Sequence, residues 1–325
     1  MKPSDLRDFL QPLADTISVY LSVEGPLPAE EVVSVALNAL PDGQPDWLQR
    51  SAVETAVEDA RRIHAAGVCF FGRSDGSLAA PLVDPPRFDI AELAPVPRLV
   101  PLVETMHRDV DHLVVHFDPT TRLLEFARFP EAAEATSWTQ EIDSGDPAEI
   151  SQAIIRDVHT DTEVVVVSVP DEIANAVVDR LDPALPPTVK VSAVSPDEDL
   201  SRAAVRAVAD FTAVATVQAI RSFRFMESHG AVVEGLAETA LALARGEVTR
   251  LFLSPGVEEM TLYAGQAPTE LGSADNFASG AGLEVRASDG LLRSAILQGV
   301  MVQVTPDHLH DGPSEGVGAT VLPAG

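Results

Sequence analysis

The chain of 325 residues has one cysteine, Cys69, set in the apolar stretch GVCFFG. A single cysteine excludes an internal disulfide framework and a cysteine-based zinc site, and in this setting it is expected to be a small buried hydrophobe. Lysine is almost as scarce, with only Lys2 and Lys190, and the net charge is −28. That disfavours unspecific binding to nucleic acid, which depends on Lys and Arg neutralising phosphates, so no DNA partner is expected and any RNA contact must be local. Long apolar runs are missing too. The most continuous one, VVVVSV at 164–169, is far too short for a bilayer, and MKPSDLRDFLQPLADTI at the start has no apolar core after Lys2. A soluble cytoplasmic protein without membrane attachment is the expectation. What the chain does have is aliphatic: hydrophobic residues make up 46% of it while aromatics make up only 5%, so cores must be built from Val, Leu and Ala.

At this length more than one domain is expected, and proline punctuates the candidate boundaries. Residues 1–108 read as a small α/β domain. Within them, ISVYLSV (17–23) alternates like a strand and PDWLQRSAVETAVEDARRIHAAG (45–67) reads as a helix stopped by Gly67. GVCFFG and LAAPLV flank SDGS as a hairpin turning at Asp75-Gly76. The proline-rich 81–104 stretch reads as an extended crossing. Residues 109–195 read as strand, turn, strand, a polar stretch, a helix near 147–159, the run TEVVVVSV, a second helix at 170–181 and the short strand KVSAV. A run that is apolar at consecutive positions suits a central strand covered on both faces. In residues 196–325, Ser195-Pro196-Asp197-Glu198 has the spacing of a capping box opening a long helix that reaches about Gly230. Two helix-to-strand repeats follow, GLAETALALARG with VTRLFLS and GLLRSAILQG with MVQVTP, and GVGATVL closes the chain. The expected class is α/β: a small α/β domain, a central domain and a C-terminal α/β sandwich.

The order ALARGEVTRLFLSPGVEEMTLYAG, helix, MVQV and terminal EGVGATVL resembles the third domain of the archaeal and eukaryotic peptide-chain release factor and Pelota family. The hairpin HLVVHFDPTTRLLEF (112–126) resembles that family's RNase H-like central domain. VYLSV, the 67–80 hairpin and RLVPLVE resemble the first domain of its bacterial branch, which includes the ribosome-hibernation factor Balon. The resemblance implies a translation factor, with the ribosome and its RNA as target, in a stress or hibernation setting, and a translational GTPase such as EF-Tu as a partner. Release in that family depends on a Gly-Gly-Gln tripeptide in the central domain. This sequence has none; the nearest strings are Asp42-Gly43-Gln44 and Ala264-Gly265-Gln266, in the other two segments. The corresponding connection, 128–143, contains no glycine, so no catalytic residue carries over.

Charge limits that role. Residues 109–195 hold 5 basic and 17 acidic side chains, a net −12. A domain so acidic is repelled by ribosomal RNA unless Arg128, Trp138 and Gln140 make specific contacts. On the long helix Arg202 with Arg206, and Arg221 with Arg224, share faces, and Arg245 and Arg250 flank Gly246; ion pairs and helix-end effects compete with RNA or partner binding for all six. Asp118 is either a metal-binding carboxylate at a strand tip, as in RNase H-like nucleases, or the first residue of a turn; Pro119 behind it favours the turn. His112 and His116 fall on a strand, too far apart to share an ion, and His308 and His310 suit a solvated loop. No metal and no cofactor is expected. With no phosphate loop, metalloprotease helix or nucleophile elbow, the sequence gives no positive sign of an enzyme. The leading reading is a non-catalytic ribosome binder. Two alternatives stay open: a peptidyl-tRNA or RNA hydrolase with a diverged loop, marked by a polar cluster near 128–143, and a protein-interaction scaffold, marked by uniformly acidic surfaces.

Overall fold

A computed structural model describes residues 3–41, 43–62, 65–82, 88–108, 110–129, 136–277, 282–307, 309 and 311–322. The chain divides into two compact units. Residues 106–215 form one; residues 1–105 together with 216–325 form the other.

In the middle unit, β5 (His112–Asp118) and β6 (Leu123–Phe129) make the expected hairpin, and β7 (Thr136–Glu141) adds to β6. β8 (Val164–Ser168) and β9 (Lys190–Val194) lie parallel to β5, reached through α5 (Pro147–Asp157) and α6 (Asp171–Leu181). Parallel strands need such crossovers, and the resulting order is β7-β6-β5-β8-β9. Three antiparallel strands followed by two parallel ones is the RNase H-like arrangement that the resemblance implied. Every residue of β8 is buried. Val165 and Val167 pack with Ile150, Ile154 and Val177 of the helices, whereas Val164 and Val166 face Ala203, Ala204 and Ala207 of the next helix. This is why the run is apolar at successive positions rather than alternating.

That next helix, α7 (Leu200–Glu227), starts later than the capping-box spacing suggests. Asp199, not Ser195, accepts from the backbone N–H groups of Ser201 (3.0 Å) and Arg202 (3.2 Å). A carboxylate at the cap position satisfies two orphan donors and meets the positive helix end. Glu198, freed from any box, pairs with Arg206 at 2.6 Å. By length and composition α7 could cross a membrane, a feature missed in the sequence because Arg206 and Asp210 interrupt it. Its two ends instead join cores: Ala203, Ala204 and Ala207 in the middle unit, and Ala219, Ile220 and Phe223 against Phe252 in the other.

In the second unit, the first segment forms an antiparallel sheet ordered β3-β2-β1-β4, from β1 (Thr16–Ser22), β2 (Gly67–Arg73), β3 (Gly76–Leu82) and β4 (Ile90–Ala94). Ile17, Val19 and Leu21 bury one face beneath α2 (Ala29–Asn38) and α3 (Arg50–Arg62), through Val33, Leu37, Val53 and Val57. The β2–β3 hairpin pairs Arg73 with Gly76, so the turn is Ser74-Asp75, one residue earlier than expected. α1 (Pro3–Leu10) precedes the sheet and α4 (Val100–Arg108) follows it, shortening the extended crossing; Pro101 is tolerated because first-turn N–H groups have no helical partner.

The last segment pairs β11 (Val248–Leu253) parallel to β15 (Met301–Val304) and antiparallel to β16 (Val317–Val321), with β10 (Val232–Glu234) on the far edge. A smaller sheet joins β12 (Thr261–Ala264), β13 (Leu271–Gly272) and β14 (Leu283–Arg286). Helices α8 (Leu236–Ala244) and α9 (Ala287–Gln298) complete it. Gly299 ends α9 at φ 73°, and Gly246 lies just beyond α8 at φ 69°, left-handed positions that favour glycine. The α/β class holds in every segment.

Candidate functional site

Arg128, Trp138 and Gln140 do share one face of the middle sheet. The register sets Trp138 opposite Phe126 and Gln140 opposite Leu124, and side chains two apart on β6 point the same way. Trp138 stacks on Phe126 with ring centres 5.2 Å apart, and the Arg128 guanidinium lies 5.3 Å from the Trp138 ring centre. Arg128 is engaged within the unit. One terminal nitrogen donates to the Asp157 carbonyl at the last residue of α5, and the other lies 2.8 Å from His159 Nε2. A cation at a helix C-terminus meets the negative end of the helix and satisfies a carbonyl left without a helical partner.

Beneath that guanidinium sits a residue that the sequence reading passed over. Asp111 is 8% exposed, and its Oδ1 has no hydrogen-bond partner among the described residues. Burial, helped by the charge of Asp161, pushes the Asp111 carboxyl up, against the opposing pull of Arg128, His112 and His159. Nothing local in DVDHLVVHF marks Asp111 out, since an aspartate just before a strand is ordinary turn material.

Asp118 is a turn residue. Its Oδ1 accepts from the Thr120 N–H (2.8 Å) and its Oδ2 from the Thr121 hydroxyl (2.8 Å), while Arg122 completes the turn at φ 57°. The Thr121 hydroxyl first, then the Thr120 N–H, holds the carboxyl below its ordinary range. His116 meets the Ser168 hydroxyl at 3.1 Å, and the His112 ring stacks on Phe129 with centres 4.7 Å apart. No group of three metal-ligating side chains occurs among the described residues, and His308 and His310 lie outside them.

The remaining candidates divide by their partners. Arg206 pairs with Glu198, its guanidinium pKa raised by that contact. Arg224 bridges Glu227 (2.9 Å) and Glu234 (3.0 Å) and donates to the carbonyls of Asp311 and Gly312. Among the described residues Arg250 reaches only the Met301 sulfur, at 3.8 Å. Arg202, Arg221 and Arg245 are exposed and form no ion pair among the described residues. Of the six arginines singled out on α7 and around Gly246, these three are the ones open to an external phosphate or carboxylate.

The second unit contains a polar seam with no counterpart in the sequence reading. Arg293, 2% exposed on α9, donates to four carbonyls: Leu10 (2.9 Å) and Gln11 (2.8 Å) at the end of α1, and Gly265 (3.3 Å) and Gln266 (2.9 Å). One turn earlier, Asp289 accepts from the Leu99 N–H (2.8 Å) at the start of α4 and pairs with Arg286 at 3.1 Å. A single helix thus offers an acid to the positive end of one neighbour and a base to the negative end of another. Burial pushes the Asp289 carboxyl up to about 6, against the Leu99 N–H and Arg286, which favour its ionised form. Beside it, Arg286 holds Glu92 at 2.8 Å and Arg98 pairs with Glu258, along a cleft of about 420 Å³ lined also by Glu284. The Gln266 side chain both donates to and accepts from the Leu13 backbone at 3.1 Å, so Ala264-Gly265-Gln266 is a joint within this unit.

No known family description matches the sequence, and no curated protein matches it. Solved structures do. The chain is similar to Pelota. Archaeoglobus fulgidus Pelota aligns over 98% of this chain and 92% of its own, at 11% identity and a TM-score of 0.44. Saccharomyces cerevisiae Dom34, described as a translation termination-like factor involved in RNA quality control and interacting with Hbs1, aligns over 99% and 92%, at 9% identity and a TM-score of 0.42. The archaeal translation termination factor aRF1 aligns over 98% and 96%, at 15% identity and a TM-score of 0.26.

Proposed function

We propose that this protein is a release-factor-like, ribosome-associated factor that acts by binding rather than catalysis, in a stress or hibernation setting. The single observation that carries the reading is the middle sheet. Its order and pairing are those implied by the resemblance read from HLVVHFDPTTRLLEF, and the connection after β6 lacks the glycines on which release depends. Ribosomal RNA is the proposed target, met through Arg202, Arg221 and Arg245 rather than through the occupied Arg128. EF-Tu is the proposed GTPase partner, and the setting is cytoplasmic.

A second reading, a hydrolase with a diverged loop, is favoured by one observation: the buried Asp111 carboxylate, whose Oδ1 has no partner among the described residues, beside Arg128 and His159. Release of labelled peptide from ribosomes carrying peptidyl-tRNA separates the two. The binding reading expects no release above background at saturating protein. Release that disappears in Asp111→Asn would replace it with the hydrolase reading.

A further inference from the structure

The far end of α7 turns two phenyl rings in opposite directions. Phe223 is fully buried and packs against Phe252 in the core, with ring centres 4.7 Å apart. Phe225, two residues on and so about 200° further round the helix, is 63% exposed. Among the described residues its ring partner is His229, with centres 4.5 Å apart and planes inclined at 43°. His229 Nδ1 lies 2.8 Å from the Phe225 carbonyl. A carbonyl oxygen can only accept, so this nitrogen donates, and the bond holds the imidazole beside the phenyl ring.

The setting is cationic, against the trend of the chain. Residues 217–229 contain Arg221, Arg224, His229 and one acid, Glu227, in a protein whose net charge is −28. Glu227 is held by Arg224 at 2.9 Å and, two residues from Phe225, leaves the helix on the other side. Arg221 is exposed, forms no ion pair among the described residues and lies one turn before Phe225 on the same face. The outer face of this helix end therefore offers an open aromatic ring and an uncommitted guanidinium side by side.

We propose that Phe225 and Arg221 form a site for one unpaired RNA nucleotide, its base stacked on the phenyl ring and its phosphate held by the guanidinium. An unpaired nucleotide carries a flat ring and a negative charge on one covalent unit, which is the complement of this pair. Residues four apart on a helix have Cβ atoms about 5–6 Å from one another, so a base on Phe225 leaves its phosphate within reach of the long Arg221 side chain. A duplex does not fit the site, because its bases are already stacked and paired. One nucleotide also suits the charge of the chain: it engages the cationic helix end without laying a long phosphate backbone on an acidic surface. The choice of RNA rests on the proposed ribosome-associated function, and the site deepens that reading by adding a stacking ring to one of its three arginines.

The test is fluorescence anisotropy of a labelled single-stranded oligoadenylate of about eight nucleotides, titrated with the full-length protein at low salt. Saturable binding is expected, weakened about tenfold in Phe225→Leu, which keeps an apolar side chain but no π-face, and retained in Phe225→Trp. Arg221→Gln should weaken binding and make the salt dependence shallower by about one unit of slope. The same strand annealed to oligouridylate should bind no better to wild type than to Phe225→Leu. Both substitutions at 225 replace an exposed side chain, and circular dichroism checks that each variant is folded. Absence of binding, or equal binding by wild type and Phe225→Leu, would overturn the proposal. Pelleting of wild type with ribosomes, measured alongside, separates this site from the wider reading. Ribosome binding without oligoadenylate binding removes the site and leaves the reading; if that pelleting is also lost in Phe225→Leu, the ring meets a ribosomal protein instead. Oligoadenylate binding that depends on Phe225, without ribosome binding, keeps the site and removes the reading.

Discussion

Arg293→Ala is expected to lower the stability of the unit that contains it by about 3 kcal/mol or more. The guanidinium is buried and its hydrogen bonds run to the ends of two stretches of chain that fold into one unit, Leu10 and Gln11 on one side and Gly265 and Gln266 on the other. Truncation leaves four carbonyls without their donor and opens space where a long side chain lay. Buried acceptors that lose their partners carry the full desolvation penalty, whereas exposed pairs contribute little. Arg62→Ala is therefore the control: its partner Asp59 is one helical turn away on an exposed face, and its loss should cost well under about 1 kcal/mol. Urea unfolding followed through Trp47, in a Trp138→Phe background, reports this unit alone. Equal midpoints for the two variants would show that the seam does not hold the unit together.

The second large effect is on pH. In the folded chain the Asp289 carboxyl titrates near 6, against about 3.9 in an unfolded chain. Between those values the folded state binds the proton and the unfolded state does not. On this group's account, stability therefore falls as pH rises from about 4 to about 6, by about 3 kcal/mol in total, and is level above that. The sign is opposite to that of a carboxylate whose pKa is depressed by a salt bridge. Asp289→Asn removes the titrating group, so the difference in urea stability between wild type and variant should change by that amount across the window and stay constant from pH 7 to pH 8. A difference that is flat from pH 4 to pH 8 would mean that Asp289 is ionised throughout, held down by Arg286.

Which of these features could be read in the sequence follows from how far apart their partners lie. TEVVVVSV was legible as a central strand because a continuous β-branched run has few other homes, and the turn at Asp118 because Asp-Pro is a local instruction. The start of α7 was misread for a local reason as well: two candidates, Ser195 with its capping-box spacing to Glu198 and Asp199, compete for the cap, and spacing alone does not decide between them. The seam was not legible, because Asp289 meets Leu99 across 190 positions and Arg293 meets Leu10 across 283. Its only trace is Asp289 and Arg293, one helical turn apart in the largely apolar ASDGLLRSAILQ, with Arg286 just before it; charges on a helix that must bury most of its surface need partners. Arg128 was found as the first residue of the glycine-free 128–143 stretch, although it belongs to β6 itself, and not for its actual contacts, since the end of α5 and Asp111 come together only through the sheet register. The arginines with free guanidinium groups could not be told from the paired ones until Glu198, Glu227 and Glu234 were placed.

The central claim is that this acidic protein binds ribosomes through a few arginines. Co-sedimentation of the purified full chain with bacterial ribosomes, at physiological and at raised salt, with and without EF-Tu, tests it most directly. Saturable pelleting that weakens as salt rises, and weakens further in the triple variant Arg202→Glu, Arg221→Glu, Arg245→Glu, is the predicted result. Protein that stays in the supernatant under every condition would contradict the claim and leave a protein-interaction scaffold as the better account.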